Sequence, residues 1–174
     1  IIGGSQGAKL FDTVIGESII NLSKKYKLKI FHQTSLKNYG NLSNFYLSNN
    51  IENELFDFSK DIFSFMNKSN ISISRAGAST LAELIYLEIP HIAIPLPSAK
   101  DNHQFENAFF YDQLGCNWIL NQNEISSKKL TDKLVNIIEN KEEYLIKKKN
   151  MESFNYQNTW NNINQKIKST INEN

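Results

Sequence analysis

A chain of 174 residues, 40% hydrophobic and 21% charged, is long enough for one domain with a substantial core and too short for two large ones. Nineteen basic residues against 18 acidic ones leave a net charge of +1, and no basic arm or aromatic–basic interleaving points to nucleic acid. The single cysteine, Cys116, excludes an intrachain disulfide and a cysteine-built zinc site; no apolar run reaches membrane-spanning length and no stretch reads as a signal peptide, so a reducing cytoplasm is expected.

Ile1-Ile2 followed by Gly3-Gly4-Ser5-Gln6-Gly7-Ala8 reads as a strand end, a glycine turn and a helix start. A strand usually runs to about five residues, so the expectation is a fragment cut inside its first strand. The helix is expected over about 9–26, burying Phe11, Val14, Ile15, Ile19 and Leu22. A dinucleotide fingerprint needs glycine at its first, third and sixth positions; counted from Gly3 these hold Gly3, Ser5 and Ala8. No acidic residue follows the next strand either, so dinucleotide binding is disfavoured.

The second strand is expected over 28–34 and a helix over 36–48, with Gly40 weakening it. A third strand over 53–58 leads to a short helix capped by Ser59 and carrying Ile62, Phe63 and Met66. The fourth strand, 70–74, runs into Ser74-Arg75-Ala76-Gly77-Ala78-Ser79-Thr80-Leu81-Ala82-Glu83, a turn of small residues opening a helix that Glu88-Ile89-Pro90 should end. A fifth strand over 91–94 stops at Pro95-Leu96-Pro97. After a polar loop over 98–104, a helix runs to about Leu114, with Gly115 at its C-terminal cap. The sixth strand covers 117–120, with Cys116 as a small buried thiol before it. A helix from Ser126 or Ser127 carries Leu130, Leu134, Ile137 and Ile138, and weaker helices over 142–149 and 159–171 finish the chain.

Six strands alternating with helices argue for an α/β fold with a Rossmann-like, doubly wound parallel sheet. Such sheets bind ligands outside the carboxyl ends of their strands, near the topological switch point. The turns after strands one, four and five should therefore meet at one crevice.

Each turn has its chemistry. Glycines in the first let backbone approach a ligand closely, and Ser5 and Gln6 add donors. In the second, the free N–H groups of a helix start and the positive end of its dipole suit an anion such as a diphosphate. Ser79 and Thr80 add hydroxyls there, and Glu83 could hold a ribose diol. Thr80-Leu81-Ala82-Glu83 equally fits a capping box that binds nothing. In the third, His103, Gln104 and Asn107 share one side of a helix start, and amides read sugar hydroxyls as both donor and acceptor. Arg75 could pair with a diphosphate or, as favoured here, with a neighbouring carboxylate. His32 and His91 read as packing residues, and Lys147-Lys148-Lys149 as a solvated helix face. No histidine or carboxylate cluster has metal-ligand spacing.

Taken together, Gly3–Ala8, Ser74–Glu83 and Asp101-Asn102-His103-Gln104 with Asn107-Ala108 resemble, in order and spacing, the carboxy-terminal half of the MurG family of bacterial glycosyltransferases. The resemblance spans essentially the whole chain. It implies residues 1–174 as a donor-binding domain, one half of a two-domain GT-B fold, ending in a helix at about 159–171. It implies an inverting transfer of N-acetylglucosamine from UDP-N-acetylglucosamine to an undecaprenyl-pyrophosphoryl-muramyl-pentapeptide. The enzyme would need no metal or other cofactor and would work at the cytoplasmic face of the inner membrane. Implied donor contacts are Ser5, Gln6, Ala78, Ser79, Thr80 and Leu81, with Glu83 on the ribose, Gln104 on the sugar hydroxyls, His103 and Asn107 beside it, and uracil near Phe58-Ser59. Some family members carry Gln where this chain has His103. The general base, the acceptor loops, an arginine ahead of the first strand and the membrane patch would lie in a preceding domain, leaving this half without catalytic residues and inactive by itself. The alternatives are another UDP-sugar enzyme of the same two-domain class, an epimerase or a different transferase, and a stand-alone donor-binding subunit of a split transferase.

Overall fold

The computed structural model describes residues 1–3, 10–57, 62–157 and 159–172, without the side chains of 156, 157 and 172. Among them are five strands, β1 (Lys29–Gln33), β2 (Glu52–Phe56), β3 (Ser72–Ser74), β4 (His91–Ala93) and β5 (Asn117–Ile119). All pairings are parallel: β1 with β2, β3 with β4, and β4 with β5. The expected first strand is reduced to Ile2, which bridges Gln33 on one side and Ser74 on the other. Its N–H donates to the Ile73 carbonyl at 2.9 Å and its carbonyl accepts from Arg75 N–H at 3.0 Å, while Gln33 N–H donates to Ile1 at 2.9 Å. Ile2 thus joins the two blocks into one order: third strand, second, first, fourth, fifth, sixth. That is the doubly wound order with its switch point between the first and fourth strands.

The helices cover both faces, because parallel crossovers place them there. A π-helical turn, Phe11–Ile15, leads into α1 (Gly16–Ser23), and a tight turn, Leu36–Asn38, leads into α2 (Tyr39–Leu47). These pack with α6 (Ser127–Glu139) on one face, around Phe11, Ile15, Ile19, Tyr46, Ile73, Ile92, Leu130 and Leu134. Val14, expected inside, is only partly buried. On the other face lie α3 (Ile62–Asn67), α4 (Ala78–Tyr86), α5 (His103–Gln113) and α7 (Lys141–Gln157). Their packing clusters include Met66 with Leu84 between α3 and α4, Leu81 with Ala93 of β4 and Ala108 of α5, and Ile85 with Cys116 and Met151. The last helix, α8 (Trp160–Asn172), leaves Trp160, Ile167 and Ile171 exposed.

The helix α4 ends as expected ahead of Glu88-Ile89-Pro90: Tyr86 is its last residue, and Glu88 takes a left-handed φ of 55°, which reverses the chain before the proline. Two local expectations are corrected. Lys147 is not on a solvated face but 8% exposed. Its Nζ donates to the Asn117 carbonyl at 2.7 Å and lies 4.6 Å from the Trp118 ring centre, so the strand end takes the place of water around it, while Lys148 is partly exposed and Lys149 exposed. The helix expected over 142–149 runs over Lys141–Gln157, because apolar residues such as Met151 find partners on α4 that periodicity alone does not reveal, while the last helix has the expected length. Gly115 does close α5, at φ 69°, and Cys116 is buried with its thiol pushed up by desolvation.

Candidate functional site

At the switch point the chain leaves Ile2 through Gly3. A Cβ on Gly3 would stand 3.2 Å from the Phe11 ring, closer than side chains ordinarily pack, so a glycine lets Phe11 lie tight against the backbone there. Gly3, Arg75, Gly77, Thr80, Leu96, Lys100, His103 and Gln104, with Ile2, Ser98 and Ala99, line a single cavity of about 540 Å³. Gly3, where the chain leaves strand one, and the turns expected after strands four and five meet there, and the volume is that of an ordinary ligand site. A larger cavity of about 820 Å³ opens at the opposite ends of the strands. Apolar side chains such as Ile30, Phe31, Ile71 and Ile73 make up much of its wall, and it lies away from the turns at the carboxyl ends of the strands, where such sheets bind ligands.

The second turn supplies an anion-binding end. Gly77, with φ −66° and ψ 139°, is the N-terminal cap of α4, and it has no side chain to cap with. The first intrahelical bond runs from Leu81 N–H to the Gly77 carbonyl at 3.0 Å. The N–H groups of Ala78, Ser79 and Thr80 therefore point out of the helix start without intrahelical partners. This frame rules out the capping box: Thr80 is the third residue of the helix and not its cap, and Glu83 lies a turn too far along. Ser79, Thr80 and Glu83 share the outward face by their three- and four-residue spacing. Ala78 and Ser79 are exposed, and Thr80 and Glu83 partly so. Leu81 is placed differently: its side chain is fully buried against Ala93 and Ala108, and its N–H is held within the helix.

The third turn is built on backbone strain. Asp101 and Asn102 are both left-handed, at φ 51° and 55°, a conformation that Asp and Asn tolerate better than other side chains. The double reversal starts α5 at His103, whose Nδ1 donates to the Lys100 carbonyl at 2.7 Å and leaves Nε2 as an acceptor at the cavity wall. Gln104 Oε1 accepts two backbone N–H groups, from Leu96 at 3.0 Å and Ala76 at 3.3 Å. The expectation that this amide reads a sugar in both directions is thus narrowed: its acceptor is committed to the fold, and Nε2 remains as a donor. Asn107 Nδ2 donates to the Ala76 carbonyl at 3.1 Å, which makes it a brace of the second turn, with Oδ1 left over.

Arg75 finds no carboxylate among the described residues. Its Nη1 donates to the carbonyls of Ile94 at 3.2 Å and Pro95 at 3.5 Å, and its guanidinium sits 5.0 Å from the centre of the Phe11 ring. Beside the first turn, Asp12 accepts from Asn38 Nδ2 at 2.6 Å and from Thr34 Oγ1, and lies 3.6 Å from His32 Nε2. Burial raises the Asp12 carboxyl's pKa and drives the His32 ring well below its usual range, so this histidine is a neutral core group bonded to Tyr46. Among the described residues no group of three His, Cys, Asp or Glu side chains is placed to hold a metal ion. Ser5, Gln6 and Ser59 lie outside the described residues. Sequence reasoning missed the bracing by Arg75 and Gln104 and the wall formed by Leu96, Ser98 and Lys100. The Asp101-Asn102 pair, two residues suited to left-handed turns, was the one available signal.

A doubly wound sheet with a cavity at its switch point, beside a helix start that has no side-chain cap, defines a Rossmann-like α/β domain with a geometry suited to an anion. The chain belongs to glycosyltransferase family 28, matching its C-terminal domain over residues 1–167. It is 62% identical, over all 174 residues, to the UDP-N-acetylglucosamine--N-acetylmuramyl-(pentapeptide) pyrophosphoryl-undecaprenol N-acetylglucosamine transferase of Pelagibacter ubique (strain HTCC1062), covering 49% of that protein. It is 45% identical over 143 residues, 80% of the chain and 40% of the relative, to the protein of the same name from Rickettsia bellii (strain RML369-C). The crystal structure of Acinetobacter baumannii MurG superimposes with a TM-score of 0.74 at 26% identity, over 87% of this chain and 44% of that one. The fold is thus one half of a GT-B glycosyltransferase, and the chain spans about half the length of the curated relatives it matches.

Proposed function

We propose that this chain is the donor-binding half of an inverting glycosyltransferase that moves N-acetylglucosamine from UDP-N-acetylglucosamine to an undecaprenyl-pyrophosphoryl-muramyl-pentapeptide in peptidoglycan synthesis. The observation that carries the reading is the single cavity at the switch point, where Gly3, Thr80 and Gln104 from three distant turns meet. The names of its relatives supply the substrates.

In this reading the diphosphate lies over the N-terminus of α4, taking the N–H groups of Ala78, Ser79 and Thr80 and the Thr80 hydroxyl. Glu83, on the same helix face, accepts from the ribose diol. Gln104 Nε2 donates to a sugar hydroxyl, and His103 Nε2 accepts from another. The remaining donor contacts that the family resemblance implies, Ser5, Gln6 and Ser59, lie outside the described residues. As the acceptor hydroxyl attacks the anomeric carbon, the bond to UDP breaks and negative charge grows on the leaving diphosphate. Fixed amides and the helix dipole stabilise that charge in place of a metal ion, without reorganising. The base that takes the acceptor's proton belongs to the remainder of the protein, as does the membrane contact that would keep the enzyme peripheral at the cytoplasmic face. No helix among the described residues is long and apolar enough to cross a membrane. The curated relatives named above are transferases, which leaves the epimerase alternative without support.

Calorimetry on the full-length protein with UDP-N-acetylglucosamine and UDP tests the reading. Binding of both, weakened at least tenfold in Thr80→Val and in Gln104→Ala, is expected. No binding of either ligand, or unchanged affinity in both variants, overturns it.

A further inference from the structure

The cavity contains a cation that no described carboxylate neutralises. Arg75 is 8% exposed, and its guanidinium is held by two carbonyls, Ile94 and Pro95, and by the face of Phe11. Its Nε is buried with no partner among the described residues, and no described carboxylate lies within ion-pair distance. The nearest acid of the Phe11 turn, Asp12, is occupied by Asn38 and Thr34. Arginine does not escape such a position by losing its proton, and a buried charge without a counter-charge is costly. The cost is borne where three turns meet: Phe11 follows the first, Arg75 opens the second, and Ile94 and Pro95 enter the third. Arg75 also lines the cavity beside the bare start of α4, so its charge and the helix dipole add.

We propose that Arg75 is a positioning residue that makes this cavity select the phosphorylated form of its ligand. It ties the three turns together through neutral acceptors, and so keeps a fixed positive potential that only an entering anion satisfies. A partner carboxylate, as expected from the sequence, would have cancelled that potential. The inference rests on the nucleotide-diphosphate reading above and adds the source of its charge preference.

The test measures the ratio of UDP to uridine affinity by calorimetry on the full-length protein, in the wild type and in Arg75→Met and Arg75→Lys. Arg75→Met is expected to lose at least tenfold in UDP affinity and less than twofold in uridine affinity. Arg75→Lys, which keeps the charge, is expected to hold the ratio within about threefold of wild type, and serves alone if the Met variant does not fold. A UDP-to-uridine ratio unchanged in Arg75→Met, or collapsed in Arg75→Lys, overturns the inference while leaving the nucleotide site standing. A wild type that binds neither ligand overturns the functional reading and this inference with it.

Discussion

Gln104 Oε1 accepts the backbone N–H of Leu96 at 3.0 Å, and through this bond the helix after β4 holds the loop that precedes it. The same oxygen takes the N–H of fully buried Ala76 at 3.3 Å, so one amide braces two of the three turns around the cavity. Gln104→Ala should therefore destabilise the fold by about 1–3 kcal/mol, the cost of orphaning buried amides, as well as weaken the donor. Gln104→Glu keeps the acceptor and loses the donor, while adding charge beside a diphosphate. It should retain more of the melting temperature and less of the UDP-N-acetylglucosamine affinity than the alanine variant. Thermal melts paired with calorimetry separate the two roles.

Gly77 offers a case where stability and binding should move in opposite directions. Its φ of −66° suits any residue, and a Cβ there would meet nothing closer than Thr80 Oγ1 at 3.9 Å. Gly77→Asp would cap α4 and complement its dipole, for a gain of about 0.5–1 kcal/mol. The new carboxylate would occupy the N–H groups meant for the ligand. A raised melting temperature with UDP affinity at least tenfold weaker is expected; an unchanged affinity would show that the helix start is not the anion site.

Glu83 is freed from a capping role by the position of Gly77. Glu83→Gln should leave thermal stability within about 0.5 kcal/mol, as at an ordinary surface position, and weaken UDP-N-acetylglucosamine by about 1–3 kcal/mol through the lost charged hydrogen bond to the diol. Comparing affinity for the ribose and 2′-deoxyribose forms of UDP locates the loss: the variant should discriminate less between them.

Acid should unfold the protein through its buried histidines. Desolvation pushes His91 down to about 4 and His32 well below its usual range. The unfolded chain protonates both near pH 6.5, whereas the folded rings resist, so the unfolded state binds more protons and stability falls as pH drops from about 6.5 towards 4. His91 alone accounts for a loss on the order of 3 kcal/mol across that window. Asp12 works the other way, since its raised carboxyl takes up a proton more readily when folded and returns part of the loss. Urea midpoints measured between pH 7 and 4.5 should fall steeply in the wild type and less so in His91→Gln.

Much of the architecture was legible along the chain. Alternating Ile-rich strands, amphipathic helices and the glycine and small-residue turns announced a doubly wound sheet, and Gly115 was placed at a helix end that it closes. These features rest on interactions within a few residues, where side-chain period and backbone freedom act directly. Lys147 was not legible, because its burial depends on Asn117 and Trp118, thirty residues away. The end of α4 ahead of Glu88-Ile89-Pro90 was legible, but the positive φ of Glu88 was not, since a non-glycine residue gives no local signal for it.

By itself the sequence determined the elements, the three turn chemistries and the family resemblance, because each is written in short stretches of adjacent residues. Only the tertiary structure decided that Gly3, Thr80 and Gln104 face one cavity, that Gln104 is spent as an acceptor and that Arg75 is held by the Ile94 and Pro95 carbonyls. Those facts follow from Ile2 pairing with strands that begin 27 and 70 residues further on, and parallel pairing over such distances is set by packing of the whole sheet and not by any local pattern.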